Sequence, residues 1–150
     1  MGHEAIVYGV IVGASYRVGE KYRLLQKYNA AIIRRLPRDD DWLWLDKSVF
    51  ALPGRHPQGT YRRQIIYYGL SVKDDPSDRN CWEMWFEKFE NVLRQLYWQS
   101  AKVHLETDFE PNRMFAYLPT DESLRGLYLD QPRPITEWKR SVQAISDLNG

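Results

Sequence analysis

The chain has 150 residues, 43% hydrophobic and 27% charged, which is the size and composition of one globular domain and excludes a disordered chain. Twenty-one basic residues against 20 acidic ones leave a net charge of +1, so no global field draws the protein onto nucleic acid. No apolar run reaches the roughly 20 residues of a membrane span, Met1-Gly2-His3-Glu4 lacks the basic start of a signal peptide, and one cysteine, Cys81, can form no internal disulfide. A single cytoplasmic domain spanning residues 1–150 is the expectation.

Glu4 to Val12 is apolar on both parities and rich in Val and Ile, which predicts a strand buried on both faces. Beyond the turn-like Gly13-Ala14-Ser15, the positions Tyr22, Leu25, Asn29, Ile32 and Leu36 predict a helix over Gly19–Leu36. Pro37 stops it, because its ring cannot continue a helix. Asp39-Asp40-Asp41 and Trp42-Leu43-Trp44-Leu45 then lead into a short strand over Lys47–Leu52, closed by the turn dipeptide Pro53-Gly54. Thr60 to Val72, β-branched and aromatic, carries the strongest strand signal in the chain.

A second helix is expected over Asn80–Ser100. Asn80 and Glu83 have capping-box spacing, and Trp82, Trp85, Phe86, Phe89, Val92, Leu93 and Leu96 form one bulky face. Lys102–Asp108 alternates, with Val103 and Leu105 on one side and His104 and Glu106 on the other, as a half-exposed strand does. Arg113–Leu118 can pair with it. The tail has turns at Pro119, Gly126 and Pro132-Arg133-Pro134, then a short helix over Ile135–Ile145.

The succession predicts an α+β fold: an antiparallel sheet with two main helices on one face, ferredoxin-like in its β-α-β-β-α-β order, plus an extra strand and a short C-terminal helix. Its first four strands should stand in the order 4-1-3-2, with Trp85, Phe89 and Leu96 buried under the helical face. Two central strands apolar on both parities also need cover on their second face. Residues 119–150 are expected to supply it, with Leu127 and Trp138 as anchors; a second copy of the chain or a partner are the other candidates.

Candidate chemistry is sparse. His104-Leu105-Glu106 has the H-x-E spacing of zinc deaminases but lacks their P-C-x-x-C partner, and His3, His56 and His104 share no ligand spacing, so no metal or cofactor is expected. Cys81 could be activated at a helix start, yet a lone cysteine there is more often a small buried hydrophobe. Asp74, Asp75 and Asp78 do not fit a calcium loop. Tyr61-Arg62-Arg63-Gln64-Ile65-Ile66-Tyr67-Tyr68 offers aromatics on the third strand, as RNA-recognition domains do, but without their glycines; nucleic acid is disfavoured.

Three tracts, Gly59 to Gly69, Trp82 to Glu90 and Val103-His104-Leu105-Glu106, give the chain its resemblance to the small immunity proteins that accompany bacterial polymorphic toxins. The resemblance implies a non-enzymatic cytoplasmic protein that binds a cognate protein toxin and occludes its active site, and it assigns no functional residue. The residues themselves nominate Asp39, Asp40, Asp41, Trp42 and Trp44. Carboxylates there can meet the cationic groups of a toxin site, and tryptophan supplies contact area with little rotamer entropy to lose. The competing reading places the tryptophans inward over a solvated turn. The alternative function is a small enzyme whose site shows no sequence motif.

Overall fold

The computed structural model describes residues 3–14, 21–38, 45–52, 63–74, 81–108 and 110–145. In chain order these form β1 (His3–Gly13), α1 (Lys21–Arg34), a 3-10 turn (Lys47–Val49), β2 (Phe50–Ala51), β3 (Ile65–Asp74), α2 (Cys81–Leu93), β4 (Trp98–Thr107), β5 (Arg113–Pro119), α3 (Asp121–Leu127) and β6 (Trp138–Ala144). The fold is α+β. All six strands pair antiparallel in one sheet of order β2-β3-β1-β4-β5-β6, so the first four run 4-1-3-2 across it.

Alternation along the strands divides the sheet into two faces. Ala5, Val7 and Ile11 of β1, Ile66, Tyr68 and Val72 of β3, Ala101, Val103 and Leu105 of β4 and Phe115 and Tyr117 of β5 are buried on the first. The α2 helix lays its aromatic stripe against that face. Phe89 stacks on Trp85 at 5.3 Å between centroids and reaches Tyr68 at 5.1 Å and Tyr117 at 5.7 Å, while Phe86 meets Phe115 at 4.4 Å. Trp85, Phe89 and Leu96 are fully buried, as their spacing predicts.

Gly9 makes this packing possible. A Cβ there would overlap the Lys102 carbonyl oxygen and the Tyr68 hydroxyl. Its absence lets the Tyr68 ring lie across the central strand and donate to the Lys102 carbonyl. The α1 helix buries Leu25 and Ile33 with Asn29 between them. Asn29 is satisfied three times: Nδ2 donates to Gln64 Oε1 (3.0 Å) and to the Tyr97 carbonyl (2.8 Å), and Oδ1 accepts from the Tyr97 N–H (2.8 Å). One side chain thus ties α1 to the start of β3 and to the approach to β4.

The strand expected over Lys47–Leu52 is reduced to a 3-10 turn and the two residues Phe50–Ala51, and three further expectations are corrected. The second helix ends at Leu93, not Ser100, and β4 begins at Trp98, four residues before the expected Lys102. The chain turns through the Gln95 N–H to Val92 and Leu96 N–H to Leu93 bonds (3.0 and 3.1 Å), and the Trp98 indole caps the Leu93 carbonyl at 2.9 Å. Leu93 and Leu96 keep helical spacing while Leu96 and Trp98 keep strand spacing, so the apolar pattern changes period here, and all three side chains are buried. The expected C-terminal helix over Ile135–Ile145 is instead β6, paired with β5 from Pro119↔Trp138 to Arg113↔Ala144. The helix in the tail is α3, capped by Thr120, whose hydroxyl accepts from the Ser123 N–H at 3.3 Å, and carrying Asp121 and Glu122 in its first turn.

The third correction concerns the second face. Leu127 is fully buried, but in the same core cluster as the helices. Trp138 packs on Trp98 and Tyr117, at 5.8 and 6.1 Å, on the helical side. Arg140 Nη1, two residues on and on the same face, bonds Glu90 of α2 at 3.1 Å. The tail therefore extends the sheet and closes its helical side. It leaves the opposite face uncovered by any described residue.

Candidate protein-binding surfaces

The uncovered face is built by residues of the other parity. Its central row, read across β3, β1, β4, β5 and β6, is Gly69, Tyr8, His104, Met114 and Gln143. On one side lies the row Ser71, Ile6, Glu106; on the other lies Tyr67, Val10, Lys102, Ala116, Ser141. Tyr8 is 39% exposed and Tyr67 47%, high values for large side chains on the two adjacent strands β1 and β3, and Leu118 at the end of β5 is 58% exposed. The Tyr8 ring stacks on His104 at 4.9 Å and 7° between planes, and its hydroxyl donates to Glu106 at 3.5 Å. Partial burial first, then the adjacent Glu106 charge, push the Tyr8 phenol above its ordinary range. Ser71 donates to Glu4 at 2.7 Å at the end of the same face. An apolar and aromatic centre with charges toward its margins is the layout of a protein interface.

The second surface is a stem. Leu45 is buried, the Lys47 N–H donates to the Pro37 carbonyl at 2.9 Å, and Asp46 caps the 3-10 turn by accepting from the Ser48 N–H at 2.8 Å. The Lys47–Pro37 bond holds the end of the α1 segment and the start of the β2 segment together, and the Asp46 cap fixes the turn locally. The nominated residues Asp39, Asp40, Asp41, Trp42 and Trp44 fall between the two anchored ends and lie outside the described residues. Segments of this length with closed ends are frequent carriers of function.

Other nominated chemistry is scattered. His104 faces the open surface, His3 sits 3.6 Å from Asp108 at a sheet end, and His56 lies outside the described residues. Cys81 is the first residue of α2, while Asp75 and Asp78 lie outside the described residues. Among the described residues no three His, Cys, Asp or Glu side chains gather as a metal site, and no helix is long and apolar enough to cross a membrane. The aromatic tract of β3 splits by parity: Tyr67 faces the open surface and Tyr68 the core. Sequence reasoning found this second, apolar face and named a second copy or a partner among its possible covers, but favoured residues 119–150, whose anchors the structure places on the helical side. No protein-family model, curated protein or solved structure matches this chain.

Proposed function

We propose that this chain is an immunity-type binding protein, one that docks on a cognate protein toxin and occludes its active site without chemistry of its own. In this reading it works in the cytoplasm, and its scaffold is a ferredoxin-like sheet extended by β5 and β6. The carrying observation is the Pro37–Lys47 stem. It brings together the ends of a segment that holds three consecutive carboxylates and two tryptophans, and a buried Leu45 and capped Asp46 fix one end. Asp39, Asp40 and Asp41 would meet the cations of a site built for phosphate or another anionic substrate, and Trp42 and Trp44 would supply the anchoring contact area.

The test is the triple substitution Asp39→Ser, Asp40→Ser, Asp41→Ser, measured by surface binding kinetics against the cognate toxin, identified by pull-down with the intact chain and mass spectrometry. Association should slow about tenfold and lose most of its salt dependence, with the unfolding midpoint unchanged. Unchanged affinity and unchanged salt dependence would move the interface away from this segment. Failure of the intact chain to neutralise that toxin would reject the immunity reading.

A further inference from the structure

The uncovered sheet face is its own complement about a two-fold axis, and we propose that a second copy of this chain covers it. The axis runs along the Gly69, Tyr8, His104, Met114, Gln143 row, between two stacked sheets. Rotation about it lays the Ser71, Ile6, Glu106 row of one copy over the Tyr67, Val10, Lys102 row of the other. Glu106 then faces Lys102 of the second copy, and symmetry makes this ion pair twice. Ile6 meets Val10 of the second copy, and Tyr8 and Met114 meet their own images at the axis. Glu4 and Lys73, one row further out, stay at the wet margin.

Charge complementarity selects this occupant. Neither Glu106 nor Lys102 has an ion pair among the described residues, and both stand on β4 at equal distances from the proposed axis, two residues either side of His104. The dimensions also fit. Five strands at about 4.8 Å spacing and about seven residues at about 3.3 Å give a flat patch of roughly 550 Å². Side-chain relief raises the accessible area toward the about 800 Å² per partner of a standard interface. Sheets stacked face to face lie about 10 Å apart and about 30° askew, a skew that disturbs positions near the centre of the patch least, and β4 is the middle of these five strands. The arrangement is isologous and closed, so it stops at two copies.

Sedimentation equilibrium of the full chain tests this, from about 1 to about 200 µM, the range in which an interface of this size should associate. A concentration-dependent dimer is expected. Glu106→Lys and Lys102→Glu should each weaken it about tenfold or more, and the two together should restore it to within about threefold, because the exchanged charges again face one another. Circular dichroism confirms that each variant folds; if a reversal does not, Glu106→Gln and Lys102→Gln give the same readout with smaller shifts. A wild-type monomer across the range overturns the proposal. So do single variants without effect, a double variant that stays weak, or a dimer broken by Ser141→Pro in the edge strand β6 but not by the charge reversals. Neutralisation by the charge variants is scored separately, so failure of the dimer and failure of the toxin-binding reading are distinguishable.

Discussion

Replacing Gly9 by alanine adds one methyl group at the most crowded point of the sheet. The new Cβ would overlap two fixed neighbours at once, the Lys102 carbonyl of β4 and the hydroxyl of Tyr68. The carbonyl belongs to a strand paired along its length with β1, so it cannot retreat without shifting the ladder. The Tyr68 ring is wedged among Phe50, Trp85 and Phe89, at 5.9, 6.4 and 5.1 Å between centroids. Overpacking of this kind costs about 1–3 kcal/mol. Displacing Tyr68 from the Lys102 carbonyl adds about 1 kcal/mol for the lost hydrogen bond. Gly9→Ala should therefore cost about 2–4 kcal/mol, a large share of the about 5–15 kcal/mol that holds a domain together. Urea unfolding with linear extrapolation measures it, as a lower midpoint at constant slope. Tyr68→Phe alone should cost about 1 kcal/mol, and the double variant less than the sum, since the hydroxyl is a shared neighbour. A Gly9→Ala loss below about 0.5 kcal/mol, the level of an indifferent surface change, would refute the reasoning: Tyr68 could not then be crossing β1 at this point.

Asn29→Leu keeps the branched side-chain shape but orphans both backbone groups of Tyr97, and should cost about 2–4 kcal/mol in the same urea assay; a neutral result would mean water replaces the amide there. Tyr68 and Tyr117 should resist ionisation in the folded protein, burial being the main cause in both cases, with the Tyr68–Tyr117 coupling and the Glu90 charge respectively adding to it. Their folded-state pKa values lie above the ordinary 10.0, so the unfolded chain gives up these protons first. Their contribution is therefore fully present below about pH 10 and is lost as pH rises further. Unfolding midpoints taken on both sides of that value should fall with alkalinity, and phenolate absorbance should lag in the folded state. A flat profile would contradict the burial of both hydroxyls.

Much of this architecture was legible from residue order. The unbroken Val and Ile run of β1, the 3.6-residue aromatic stripe of α2 and the alternation of His104 and Glu106 against Val103 and Leu105 are local signals, and each gave the right type of element, with the α2–β4 boundary displaced. The Asp39 to Trp44 segment was nominated because three carboxylates precede two tryptophans just after a helix ends, and only its anchored ends are described. Tertiary structure decided the rest. Leu96 extends the helical spacing of the α2 stripe, yet the chain has already left the helix there, and burial of Leu96 and Trp98 in the core goes with the turn into β4. Residues 138–144 carry a pattern weak enough for either state, and the unpaired edge of β5 captured them, because exposed backbone donors and acceptors are satisfied by a neighbouring strand. That capture also settled the fate of the second face: Trp138, pinned by strand parity to the helical side, could not turn to cover it. Hydrophobic parity can announce that a face wants a partner, but which segment reaches it depends on strand pairings between residues distant in sequence.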